Sequence, residues 1–200
     1  MQMSAMRTMF TMRKTAARWA AGSTWGEQER YLADPDYVGC VKDILEHPVF
    51  QSMEQYIQHG STSCKAHCIQ VSYLSYSLCR RFGWDYRKAA RAGLLHDLFL
   101  YDWHTHARET GDHFHGFTHP RTALVNARRY FSLTPAEEDI ILCHMWPLTV
   151  IPPRSMAGMT VMYTDKVCSV TETALGLRGW LAGRFFLKVL AAAPLRVKTH

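Results

Sequence analysis

Four histidines and two aspartates set what this chain could do chemically: His67, His96, Asp97, His119, His144 and Asp165. Each stands on a segment with helical periodicity, where the pattern points inward. Taken singly, each has an ordinary explanation as a hydrogen-bonded core histidine, a cap or an ion-pair partner. The set does not, because buried imidazoles and carboxylates are costly unless paired or metal-bound. The middle of the chain has too few inward basic residues to pair them all. Imidazole nitrogen and carboxylate oxygen suit Mn, Fe, Zn, Co or Ni. His67, His96, Asp97 and Asp165 make one four-ligand site. Asp97 has two oxygens and can bridge to a second ion, completed by His119 and His144. The expected cofactor is therefore one or two divalent transition-metal ions. Such a pair can hold a water, lower its pKa toward ~7 and clamp both the attacking and leaving oxygens of a phosphoryl group. Asp97 is thus the central catalytic candidate.

Further candidates lie close in sequence. Lys166 adjoins Asp165 and could meet a phosphate oxygen, or simply reach solvent. Arg121, two residues after His119, is a second candidate for phosphate binding. His115 could protonate a leaving oxygen, as a general acid must; the alternative is a solvated loop histidine. His104, His106 and His113 read as surface residues, and His47 and His59 as helix ends. Cys64 and Cys68 flank His67 at helical spacing, which allows a small zinc site, although such cysteines are usually small core hydrophobes.

The positioning elements read as helices. Pro35 and Asp36 open one with Val41, Ile44 and Leu45, and Pro48 restarts it through Val49, Phe50, Met53, Tyr56 and Ile57 to Gly60. Thr62 or Ser63 can cap the next, whose apolar face is His67, Val71, Leu74 and Leu78, and Gly83 ends it. Asp85 caps a helix with Ala89, Gly93 and His96 on one face, where small residues permit close packing. Residues 101–118 break the periodicity and read as a long, functional loop. Thr118 can cap a helix begun by His119 and Pro120. Thr134-Pro135-Ala136-Glu137 is a capping box that starts a helix through Ile140, Ile141 and His144, stopped by Pro147. A last core helix is predicted from about Ser155 to Leu175, with Val161, Asp165, Cys168 and Glu172 on one face. Residues 177–195 read as a further basic amphipathic helix. No strand alternation of useful length and no repeat is present, so the class is all-α.

The order of these ligands resembles the HD superfamily of metal-dependent phosphohydrolases: a His, then His-Asp, then a closing Asp. Here 29 residues separate His67 from His96, and 68 separate Asp97 from Asp165. The two intervening histidines, His119 and His144, resemble the binuclear branch. Longer stretches, GLLHDLFLYDWH, HGFTHP, HMWPLT followed by PP, and DK-x-CS, are similar to a group of bacterial HD-domain proteins of unassigned substrate. The resemblance covers roughly residues 37–175. It implies a single HD-domain-like helical bundle with its metal site between helices, and hydrolysis of a phosphomonoester or phosphodiester, nucleotide-like in much of the superfamily. The Gly-Tyr-Pro stretch associated with cyclic-di-GMP hydrolysis is lacking, so that substrate is not assigned. Two other readings use the same ligands: a di-iron oxygenase, as in a few relatives of the superfamily, and a non-catalytic nucleotide-binding domain that signals through a partner.

Bulk properties set the frame. The chain has 200 residues, 48% hydrophobic and 20% charged, as in a folded globular protein. The net charge of +6 divides into +3 over residues 1–31, −2 over 32–175 and +5 over 176–200. The basicity lies in the tails, and the body shows no basic stripe interleaved with aromatics, so no nucleic-acid module is read. No apolar run suits a membrane span, and no secretory signal is read, so the expected setting is cytoplasmic with six reduced cysteines. The expected organisation is a basic leader over 1–34, the metal-binding domain over 35–175 and a basic helix or tail over 176–200. The expected partner is a small-molecule phosphate ester, and a homo-oligomer is left open.

Overall fold

A computed structural model describes residues 31–60, 62–111 and 114–192, with side chains followed to residue 177 apart from 107, 109 and 110. Most of the leader (1–30), His113 and the last residues of the tail (193–200) lie outside the described residues. Helix α1 (Pro35–Leu45) begins at Asp34, whose carboxylate accepts the N–H groups of Asp36 and Tyr37. Helix α2 (Pro48–Gln51) begins at His47, whose Nδ1 accepts the N–H of Val49. So His47 has a defined role, as a cap. The chain then departs from the helix expected up to Gly60. A 3-10 turn over Ser52–Gln55 leads into β1 (Ile57–His59), paired antiparallel with β2 (Thr62–Ser63). The two strands are the one sheet among the described residues.

Helix α3 (Cys64–Phe82) is capped by Ser63, whose hydroxyl accepts the N–H of Ala66, and ends at Gly83. Asp85 caps α4 (Tyr86–Leu95) through the N–H of Lys88. Helix α7 (Pro135–Cys143) carries the full capping box, with Thr134 and Glu137 exchanging bonds. Three readings are corrected. Residues 103–110 form helix α5 (Trp103–Thr110) inside the stretch read as a loop. Helix α6 (His115–Tyr130) starts a turn earlier than Thr118, whose hydroxyl donates back to the Phe114 carbonyl instead of capping. Pro120 therefore sits within the helix, where it cannot donate to the Gly116 carbonyl. Helix α8 (Met156–Ala192) runs on past Leu175 without a break, and the hairpin turn packs on it at Gly176, whose Cα would lie 3.2 Å from a Cβ on Gly60.

The architecture is all-α. Helix α3 packs most extensively on α4, and next on α8. Helix α4 buries a run of small residues, Ala89, Ala90, Ala92 and Gly93. A Cβ on Gly93 would lie 2.8 Å from the Ser72 Cα, so only glycine allows this approach. Ser72 Oγ donates to the Ala90 carbonyl at 2.6 Å and meets the Tyr37 hydroxyl at 2.8 Å, joining α1 to the pair. Ser75 and Thr164 hydroxyls meet at 2.6 Å between α3 and α8. Arg91 bridges α4 to α1 and α7 through Asp43 and Glu137. No described helix is long and apolar enough to cross a membrane.

Candidate metal centre

Five segments deliver the six residues to one place. Helix α3 carries His67, and the turn after α4 carries His96 and Asp97. Helix α6 carries His119, the end of α7 carries His144, and α8 carries Asp165. All six are buried, none more than 6% exposed. His67 Nε2 stands 3.2 Å from Asp165 Oδ1, and His96 Nε2 stands 3.6 Å from the same oxygen. The Asp97 carboxylate lies between two groups. Its Oδ2 faces His96 Nε2 at 3.3 Å and His67 Nε2 at 3.9 Å. Its Oδ1 faces His119 Nε2 at 3.2 Å and His144 Nε2 at 3.5 Å. Two overlapping groups, His67–His96–Asp165 and His96–Asp97–His144, are spaced so that each could hold a metal ion.

The far side of each ring explains why the near side could serve as a ligand. His96 Nδ1 donates to the Gly93 carbonyl at 2.9 Å, His119 Nδ1 to the His115 carbonyl at 2.7 Å, and His144 Nδ1 to the Ile141 carbonyl at 2.7 Å. His67 Nδ1 donates to Glu172, with both carboxylate oxygens at 3.0–3.1 Å. A carbonyl can only accept, so each neutral ring keeps its proton on Nδ1 and turns an Nε2 lone pair inward. His119 Nε2 and His144 Nε2 then face each other at 2.9 Å, which two lone pairs tolerate only around a shared proton or cation. His96 Nε2 and Asp97 Oδ1 are buried with no hydrogen-bond partner. Each such orphan costs about 1–3 kcal/mol. A divalent ion meets both, so the residues present fit one.

No protein-family model, curated protein or solved structure matches the chain. The chemistry of the site rests on its own atoms.

Three residues join the site that sequence patterning did not assign to it. Glu172 follows Asp165 by two helical turns and orients His67; its inward face was legible, its partner was not. Gln58 donates from Nε2 to Asp97 Oδ2 at 2.6 Å. His59, read as a helix end, instead packs edge-on against His67 with ring centres 5.4 Å apart. Both come from the hairpin, whose turn residue Gly60 has φ +61° and approaches α8 so closely that a Cβ would meet the Glu172 carbonyl at 3.0 Å. The other candidates divide. His115 lines the cavity described below, stacks on His119 with ring centres 4.6 Å apart and meets the Tyr101 hydroxyl at 3.0 Å. Lys166 lines it too, donating to the His144 carbonyl at 3.0 Å. Arg121 is exposed on α6 and is not among the lining residues, so it is not placed to hold a phosphate there. His104 is exposed, and His106 stacks on Tyr101. The cysteine zinc site is not formed: among the described residues no cysteine belongs to a ligand group, and burial pushes the Cys64 and Cys68 thiols up, which keeps them protonated. All six cysteines are free and buried.

The cluster is strongly coupled to protons. Burial alone would lower His67 and His96, but the carboxylates of Glu172 and Asp165 beside one, and of Asp97 beside the other, hold both well above the ordinary histidine value. Burial opposes ionisation of Asp97 and Asp165 as well, and the neighbouring imidazoles hold both well below the usual carboxylate range. Burial, then the charge of His96 and His119, drives His144 down to about 3, so it stays a neutral donor. Protons on His67 and His96 are thus the stand-in for a metal charge. A histidine raised in the folded state stabilises fully below its unfolded pKa of about 6.5, and the effect is lost as pH climbs through the raised value. Metal-free protein should therefore lose thermal stability from pH 6.5 upward, while metal-loaded protein holds. The melting-temperature gain on adding Mn should grow between pH 6 and 9. A constant or shrinking gain in scanning calorimetry would contradict this coupling.

A cavity of about 580 Å³ opens onto the cluster, lined by Asp97, His119, His144, Asp165 and Lys166 together with Trp103 and Leu148 among others.

Proposed function

We propose that this protein is a metal-dependent phosphohydrolase acting on a phosphate ester. The carrying observation is Asp97, which turns one oxygen toward His67 and His96 and the other toward His119 and His144. One carboxylate shared between two nitrogen-rich groups suits a two-ion site, with Asp165 serving the first. When bound, two divalent ions there supply Lewis-acid polarisation of a phosphoryl group and lower the pKa of water. The resemblance of the ordered ligands to the HD superfamily supports the same reading.

The chain's own groups have defined tasks in that reaction. Water adds to phosphorus, the ester P–O bond breaks, and its electron pair leaves on the alcohol oxygen, which needs a proton. His115 stands at the cavity wall and can supply it. Lys166 gives one of its three ammonium hydrogens to the His144 carbonyl, and the others can meet a phosphoryl oxygen. Burial lowers the Lys166 pKa, and the Asp165 carboxylate beside it opposes that loss of charge.

The test is metal analysis of purified protein, followed by reconstitution with Mn, Fe, Co, Ni or Zn and assay on p-nitrophenyl phosphate, its diester and a nucleotide panel. Turnover with at least one metal, abolished by chelator and restored by that metal, is expected. Inertness of every metal-loaded form across the panel overturns the proposal.

A further inference from the structure

The cavity in front of the cluster is unevenly furnished. Besides the His and Asp cluster, its lining includes Trp103, Gly116, Met145, Pro147 and Leu148, and Lys166 is the one lysine or arginine among the described residues that line it. The apolar character continues outside. Phe114, just before α6, and Phe117, on its first turn, are 68% and 52% exposed on either side of Gly116, and Val150 and Ile151, 89% and 56% exposed, follow Leu148. The two segments touch, since a Cβ on Gly116 would lie 3.0 Å from Leu148 Cδ2. Exposed large apolar side chains gathered on two segments that both wall one cavity mark a binding surface. A polyphosphate placed there would bring several charges to a single ammonium. A lone phosphoryl group would be matched by the ligand cluster and Lys166, leaving the remaining wall for something apolar.

We infer that the substrate is a monophosphate ester of an apolar alcohol, aryl or alkyl, whose apolar part lies against Trp103, Met145, Pro147 and Leu148. This rests on the phosphohydrolase reading and narrows it: it selects against nucleoside polyphosphates, and the exposed rim becomes a substrate contact.

Non-hydrolysable phosphonates test it by binding alone. Full-length protein loaded with Mn is titrated by calorimetry with methylphosphonate, n-hexylphosphonate, phenylphosphonate and 6-phosphonohexanoate, which matches the hexyl length but ends in a charge. Each buried methylene is worth roughly fourfold in affinity. The hexyl and phenyl compounds are therefore expected to bind about tenfold or more tighter than methylphosphonate, and 6-phosphonohexanoate weaker than hexyl. Leu148→Ser, at a side chain 46% exposed and so tolerated by the fold, should shrink the hexyl-to-methyl ratio below about threefold. Equal affinities for methyl and hexyl, or tighter binding of the charged tail, overturn the inference and leave the hydrolase reading standing. Binding of no phosphonate by metal-loaded protein overturns both. A rim that instead joins two copies of the chain would show as a dimer by sedimentation, lost in Leu148→Ser, with no hexyl preference.

Discussion

Asp97→Asn protein is expected to emerge from purification nearly free of metal and without phosphatase turnover. Asparagine keeps the shape of aspartate but is neutral, and its amide nitrogen carries hydrogens where a lone pair is needed. The loss falls on both groups at once, because Oδ1 faces His119 and His144 while Oδ2 faces His96 and His67. Removing an outer partner of a metal ligand typically lowers affinity by roughly ten- to a hundredfold. Losing a shared, charged ligand should exceed that. Glu172→Gln supplies the graded comparison: it keeps a group beside His67 Nδ1 but removes the charge, so affinity should fall within that tenfold to hundredfold range with metal still binding in excess. Elemental analysis gives the stoichiometry, and calorimetry gives the affinities. Full metal content in Asp97→Asn would mean that the carboxylate does not join the two groups, and the two-ion reading would go with it.

The contrast between those two positions shows what a linear pattern carries. His67, Val71, Leu74 and Leu78 fall on one face of a 3.6-residue repeat, and all four are buried. Asp34, Ser63, Asp85 and Thr134 are caps because their side chains accept N–H groups two or three residues on, a strictly local interaction. Helices built that way announce both their ends and their inward faces, so the candidate ligands standing on them could be picked out as inward-facing. Gln58 and His59 could not. Their backbone is extended because the segment pairs with Thr62 and Ser63 and packs against α8, more than 100 residues away, while Ile57 is left 40% exposed. Local periodicity read Ile57 as one more inward helical position. The same limit hid α5: Trp103–Thr110 has few apolar residues, and its Trp103 ring stacks on His104 and His115 rather than extending an apolar stripe. Glu172 was placed on the correct face of α8, seven residues beyond Asp165, but an acid on an inward face does not say which imidazole it holds.

Gly93→Ala is expected to destabilise the protein by about 1–3 kcal/mol, the usual cost of overpacking, although alanine is the better helix former by ~1 kcal/mol. The added methyl would stand 2.8 Å from the Ser72 Cα, 3.2 Å from its N and 3.3 Å from its Cβ. Those are mostly backbone atoms of α3, and they cannot swing aside as the end of a side chain can. The helices must part, and they carry the site: His67 lies on α3, and His96 is held by the Gly93 carbonyl itself at 2.9 Å. Metal affinity should therefore fall together with stability. At roughly 2–4 °C per kcal/mol for a chain of this size, the melting temperature should drop by roughly 2–12 °C, in metal-free and metal-loaded protein alike. Gly39→Ala is the matched control. Gly39 is exposed in the middle of α1 with nothing within 4 Å of an added Cβ, so the same methyl should raise stability there. Calorimetric melts of the two variants should move in opposite directions from wild type. If Gly93→Ala instead melts at or above the wild-type temperature and binds metal normally, α3 and α4 do not approach as closely as the Ser72–Gly93 contact requires, and the spacing between His67 and His96 must then be set elsewhere.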